Sequence, residues 1–163
     1  MERFEIVPAG RVMANQMAPH VRDSDKLEVY RASGMDIRSA LLESVDLSDD
    51  DMCWAALWQG LPVAMFGANE IKVEGDGPYS DLSIGGIWLL ATPTIYINKL
   101  DFMRKCRKYL ALMHERYEYL TNFVDAQNVQ TLMWLPRLGF RPAQEIPYGP
   151  QKLSFIQYVS RRS

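Results

Sequence analysis

Asn128-Val129-Gln130-Thr131-Leu132-Met133-Trp134-Leu135-Pro136-Arg137-Leu138-Gly139-Phe140 is the most informative stretch of the chain. An Asn at the front of an apolar-periodic segment suits a helix N-cap, where its side-chain oxygen accepts an orphan N–H. Pro136 cannot donate to the carbonyl four residues back, and Gly139 suits the left-handed position after a helix. Residues 125–138 therefore read as a short helix with a late break. Upstream, Leu120 to Val124 reads as a strand. Before it, Met103, Cys106, Leu110, Met113, Tyr117 and Leu120 are spaced 3, 4, 3, 4, 3, one face of a helix of about five turns. The other face carries Arg104, Lys105, Arg107, Lys108, Glu115, Arg116 and Glu118. Downstream, Pro147-Tyr148-Gly149-Pro150 separates two strand-like stretches between Gln144 and Val159, so the tail reads as a hairpin.

The N-terminal half supplies the remaining elements. Phe4 to Val7 is a short strand stopped by Pro8 and Gly10. Residues 11–45 are helical with breaks: Val12, Met13, Met17 and Val21 make one apolar stripe, and Leu27, Val29 and Tyr30 continue it less regularly. After Ser33-Gly34, Ile37, Leu41, Leu42 and Val45 restart the period. Met52 to Trp58 and Val63 to Ala68 form a hairpin joined by Gln59-Gly60-Leu61-Pro62. Gly75 to Ser80 is a polar loop. Ile84 to Ala91 is a strand whose Gly85-Gly86 marks a bulge or a close backbone approach. The order is strand, helices, hairpin, strand, long helix, strand, short helix, hairpin. It predicts an α+β fold of the three-layer type, a mixed and mostly antiparallel sheet flanked by helices.

Composition narrows the function classes. The 163 residues suit a single domain, residues 1–163. Hydrophobic residues are 48% and charged residues 23%, an ordinary globular balance that excludes a disordered tail. A net charge of −2 predicts no bulk attraction to nucleic acid or to an anionic membrane. The charged start Met1-Glu2-Arg3-Phe4-Glu5 is unlike a signal peptide, and the longest apolar run, Met52 to Trp58, is far short of the ~20 residues of a membrane helix. A reduced, intracellular protein is expected, with Cys53 and Cys106 as buried thiols. With only His20 and His114 for imidazole, no Cys/His pair has zinc spacing, and no metal site is expected.

The order of elements, with Asn128 opening the short helix and Leu138-Gly139-Phe140 ending it, resembles the acetyl-CoA-dependent N-acetyltransferases of the GNAT fold. Roughly residues 35–158 also resemble a bacteriophage family, the internal virion protein A-like proteins of podoviruses. The matching segments are Leu61 to Gly67, Trp88 to Thr92, Glu115-Arg116-Tyr117, Leu120 to Asn128, Trp134 to Phe140 and Pro147 to Pro150. That resemblance implies a GNAT-like fold and a role in particle morphogenesis.

Chemistry of the GNAT kind makes three demands. The start of the long helix must present N–H groups to the coenzyme A diphosphate. Residues 92–99, Thr92-Pro93-Thr94-Ile95-Tyr96-Ile97-Asn98-Lys99, lack glycine; Lys99, Arg104 and Lys105 add charge, or equally form a solvated basic face. The strand before that loop must offer a backbone N–H to the thioester carbonyl, which Leu89 and Leu90 supply. A general acid is often a Tyr at the position that Leu135 holds here, and Leu135 has no proton to give. Glu70, Glu74 and Asp125 are candidate bases by location, against a plain reading as surface carboxylates. The resemblance gives Asn128 a bond to the pantetheine arm; as an N-cap it needs no ligand at all. Tyr148 reads as packing at a hairpin tip, and Trp54, Trp58, Trp88 and Trp134 as core or interface.

Two functions follow. The leading expectation is a phage virion or assembly protein, in the particle or the host cytoplasm, using the fold as a scaffold for other virion proteins or a host protein, with a degenerate acetyl-CoA site. The alternative is an acetyl-CoA-dependent N-acetyltransferase that modifies a protein amine. A third reading makes Lys99 to Lys108 a contact surface for an acidic host partner.

Overall fold

The structure is a computed structural model that describes residues 2–73, 75, 77–78 and 80–163. It contains seven strands: β1 (Glu5–Pro8), β2 (Cys53–Trp58), β3 (Leu61–Ile71), β4 (Ile84–Ala91), β5 (Tyr119–Asp125), β6 (Arg141–Tyr148) and β7 (Leu153–Arg161). They form one sheet in the order β1-β2-β3-β4-β5-β7-β6, antiparallel except for the β4–β5 pair. Five helices flank it: α1 (Arg11–Met17), α2 (Asp23–Ser33), α3 (Ile37–Leu47), α4 (Lys99–Arg116) and α5 (Val129–Trp134). No helix among the described residues is long and apolar enough to cross a membrane.

Alternation along the strands sends side chains to two cores. Ala55, Met65 and Leu90 pack with Ala14 and Met17 of α1 and Leu41 of α3 on one face. Phe66, Ala68, Leu120 and Val124 pack with Met113 of α4 on the other. The expected α+β fold is thus the observed one. β4 occupies its expected residues, and Gly139 is left-handed at φ +92°.

Four local readings are corrected. The β2–β3 turn is only Gln59-Gly60, both at positive φ, as a two-residue hairpin requires. Pro62 lies inside β3 beside the register shift between Ala56 and Leu57, where its missing N–H is tolerated. The long helix ends at Arg116, so the last two members of its apolar stripe lie outside it: Tyr117 caps the helix and Leu120 belongs to β5. The Tyr117 ring sits against Gly85, where a Cβ would meet it at 2.7 Å. The glycine pair therefore marks close approach; the β3–β4 register is unbroken there. The short helix begins at Val129, not at Asp125, and its break is a 3₁₀ turn over Leu135–Leu138. Leu27 and Tyr30 are exposed on α2, so the irregular stripe there is not a core face.

The tip of the β6–β7 hairpin abuts the C-terminal end of α2. Gly149 has φ +77°, and a Cβ there would lie 2.4 Å from the Arg31 carbonyl oxygen. Gly149→Ala is expected to cost about 1–3 kcal/mol through strain, which thermal melting would show as a fall in Tm of about 2–4 °C per kcal/mol. An unchanged Tm would mean that the hairpin tip does not hold α2.

Candidate functional site

Parallel strands stay together only while their backbones exchange hydrogen bonds. β4 and β5 pair at Ile84↔Tyr119, Gly85↔Leu120 and Gly86↔Thr121 and no further. Beyond that point they diverge and a wedge opens between them. Thr92 N–H donates to the Val63 carbonyl across the β3 seam. By alternation, Leu90 and Trp88 also face β3, whereas the N–H and C=O of Leu89 face the wedge. The wedge is an apolar cavity of about 120 Å³ whose walls include Leu89, Leu90, Phe102, Cys106, Trp134 and Leu135.

The charged groups of this cavity, Arg22, Asp25 and Glu28, arrive from α2 and the residue that precedes it, a strap across the opening. Arg22, Asp25, Glu28 and Arg31 recur every three residues, about one per helical turn. At one end, Arg22 N–H donates to the Ala91 carbonyl at 2.8 Å, and the Asp25 carboxylate accepts the Ala91 N–H at 3.0 Å. The Arg22 guanidinium also makes a bidentate pair with Asp25 at 2.8–3.0 Å, with both side chains at most 7% exposed. At the other end, Arg31 grips the carboxylate of Asp125 on β5. Between them, Glu28 accepts a hydrogen bond from the Asn128 side-chain amide. The strap thus joins the ends of both diverging strands and the start of α5.

Among the described residues, Glu28 is the wedge carboxylate that forms no ion pair, whereas Asp25 is paired with Arg22. Burial raises its pKa from 4.5 to about 7, and the nearby Asp25 and Asp125 carboxylates add to that rise, against the Asn128 hydrogen bond and Arg22. A carboxylate tuned to neutrality in a cavity has the property required of a general base. Burial also pushes the Cys106 thiol up to about 12, so it is protonated at neutral pH and no nucleophile.

The residues singled out from the sequence fall in different places. Asn128 and the Leu89 backbone line the wedge; the Leu90 backbone is turned to β3. Asn128 caps α5 by accepting the Thr131 N–H at 3.4 Å, while its amide serves Glu28. Asp125 is buried, with its carboxylate taken by Arg31 and the Gln127 N–H. Glu70 is exposed and pairs in register with Gly85, at the closed end of the wedge, about 16 Å along β4 from Leu90 by strand rise. It is therefore not in this site. Glu74 lies outside the described residues. Lys99 is exposed, its ammonium 5.7 Å from the centre of the Tyr96 ring. Leu135 is buried in the cavity wall. Tyr148 packs on Phe123 and Phe155, as a hairpin-tip residue should. The strap residues were overlooked because charges at helical spacing read as a solvated face. Two acids three residues apart, flanked at the same spacing by an Arg on either side, were the available signal.

The start of α4 does not fit a diphosphate. Residues 93–98 form a 3₁₀ turn, and Asn98 caps α4 by accepting the Asp101 N–H at 3.2 Å. The Asp101 carboxylate is 3% exposed, accepts the Phe4 N–H at 2.8 Å and pairs with Lys105. A buried negative charge in the first turn repels a second anion. Among the described residues, no group of three or more His, Cys, Asp or Glu is placed to hold a metal ion.

No protein-family model matches the sequence, and no curated protein matches it significantly. Solved structures do. An aminoglycoside N(6')-acetyltransferase from Legionella pneumophila superposes at a TM-score of 0.71 and 15% identity, over 99% of this chain and 94% of that one. A GNAT-family acetyltransferase from Bacillus anthracis matches at 0.63 and 14%, over 98% and 95%. The fold is that of the GNAT acetyltransferases. AAC(6')-Ib in complex with ribostamycin and coenzyme A matches this chain at 0.69 and 14% identity, over 99% and 94% of the two chains. Neighbours of the GNAT fold thus include enzymes crystallised with coenzyme A or acetyl-CoA. None of these comparisons supports the phage virion family expected from the sequence.

Proposed function

We propose that this chain is an N-acyltransferase that moves an acyl group from a pantetheine thioester to an amine. The observation that carries the reading is Glu28, a carboxylate tuned near neutrality in a wedge that the Leu89 backbone also faces. The thioester supplies an activated acyl carbon. The Leu89 N–H donates to its oxygen and stabilises negative charge there. The Glu28 carboxylate takes the proton that the amine sheds, and the Asn128 amide holds that carboxylate in place. The apolar walls exclude water that would hydrolyse the thioester. The protonated thiol of Cys106 favours direct transfer over an acyl-enzyme. The Arg22–Asp25 and Arg31–Asp125 pairs position the strap and take no part in proton transfer.

Ribostamycin and kanamycin, found in complex with the structural neighbour AAC(6')-Ib, make aminoglycosides a rational first panel, beside lysine peptides. The test follows thiol release from acetyl-CoA and from acetyl-4′-phosphopantetheine with each amine, with mass spectrometry of the product. Release coupled to a mass gain on an amine is expected. Release no faster than hydrolysis across both panels would overturn the reading. A virion scaffold accounts for the glycine-free loop and for Leu135 in place of an acid, but it has no use for a titratable carboxylate in an apolar wedge.

A further inference from the structure

The missing cradle sits beside an unusual surface. Tyr96 donates to Gln130 of α5 at 2.6 Å and stacks edge-on against Trp134, so the segment before α4 and the helix α5 meet at one rim of the wedge. Exposed there are Ile97 at 63% before α4, Leu100 at 80% in the first turn of α4, and Val129 at 62% and Met133 at 60% on α5. Large exposed apolar side chains on elements that the Tyr96 contacts bring together point to a contact surface. Behind them, Lys99, Arg104, Arg107 and Lys108 are exposed. Asp101 is the one acid between Lys99 and Lys108, and it is buried. In a chain of net charge −2 this is a segregated basic face, complementary to an acidic protein.

We infer that the acyl donor arrives on an acidic carrier protein, as the thioester of a phosphopantetheine arm attached to it, and not chiefly as a free nucleotide thioester. The inference rests on the acyl-transfer reading above. A free nucleotide donor needs its diphosphate held; an arm on a carrier brings a single phosphate, and the carrier's own surface supplies the affinity. The arm enters the wedge past Tyr96 and Trp134, while the carrier covers the apolar rim and meets the basic face of α4. In the transfer, the amine nitrogen bonds to the acyl carbon as the carbon–sulfur bond breaks. The amine proton passes to Glu28 and then to the departing sulfur, so the carrier leaves as a free thiol.

Calorimetry with three probes tests this: coenzyme A, 4′-phosphopantetheine, and holo acyl carrier protein of bacterial fatty-acid synthesis. Coenzyme A is expected to bind within about threefold of phosphopantetheine, and the carrier at least about tenfold more tightly than either. Leu100→Glu is expected to return the carrier to the phosphopantetheine level and leave phosphopantetheine binding unchanged. Coenzyme A binding about tenfold or more tighter than phosphopantetheine, or a carrier no tighter than its arm, overturns the carrier inference alone. If none of the three binds, the acyl-transfer reading falls and this inference falls with it.

Discussion

Glu28→Gln is expected to lower kcat by about 10²- to 10⁴-fold, the usual worth of a positioned general base. Gln keeps the length of the side chain and an oxygen for the Asn128 amide, so loss of structure does not account for the loss of rate. The pH profile separates a base from a bystander. In the parent protein, kcat is expected to rise with one deprotonation near pH 7, because Glu28 ionises at about 7. The variant should retain only a low rate with no inflection there. The same residue has an opposite effect on stability. Its folded pKa of about 7 lies above its ordinary 4.5, so its favourable contribution is complete below pH 4.5 and is lost as pH rises towards 7. Above pH 7 the folded state bears a half-buried charge that the variant lacks. Glu28→Gln is therefore expected to melt higher than the parent at pH 8 and alike at pH 4. An unchanged pH–rate profile would remove Glu28 from the mechanism.

The second large effect is expected at Asp25. Asp25→Ala leaves the Arg22 guanidinium 7% exposed and without its counter-charge, and it strips the Ala91 N–H of its acceptor. Breaking one side of a buried pair typically costs about 3–5 kcal/mol, a large share of the roughly 5–15 kcal/mol that holds a domain together. Denaturant unfolding should show that loss. The double variant Arg22→Met/Asp25→Leu should recover most of it, because two apolar side chains leave no buried charge. A single-variant loss below about 1 kcal/mol would mean that the pair is not dry.

What could be read from the sequence follows from how local each signal is. β4 was legible because a short apolar run bounded by turn residues has one reading, and Gly139 because a left-handed cap favours glycine. The end of α4 was misread because no Pro or Gly stops it; a contact with Gly85, distant in sequence, does. The wedge was only partly legible. Asn128 and Leu89 came with the fold resemblance, but the divergence of β4 from β5 is tertiary and leaves no periodicity. Glu28 was missed for the same reason. A lone Glu on a polar helix is ordinarily a solvated carboxylate, and only burial against partners as distant as Asn128, a hundred residues away, makes it anything else. Glu70 failed as a candidate because one strand has two ends, and position along β3 alone does not say which end opens.

The β4–β5 seam has a mechanical consequence. With three residue pairs joining them, β1–β4 and β5–β7–β6 act as two leaves on a short hinge. Their opening angle is fixed less by the hinge than by the charged rungs that α2 lays across the gap. Width at the mouth then depends on the bonds that Arg22 and Asp25 make to Ala91 at one end and on the Arg31–Asp125 pair at the other. Exchanging Arg31, which stands outside the cavity lining, for a longer or shorter side chain would re-gauge the mouth without touching a residue inside the wedge.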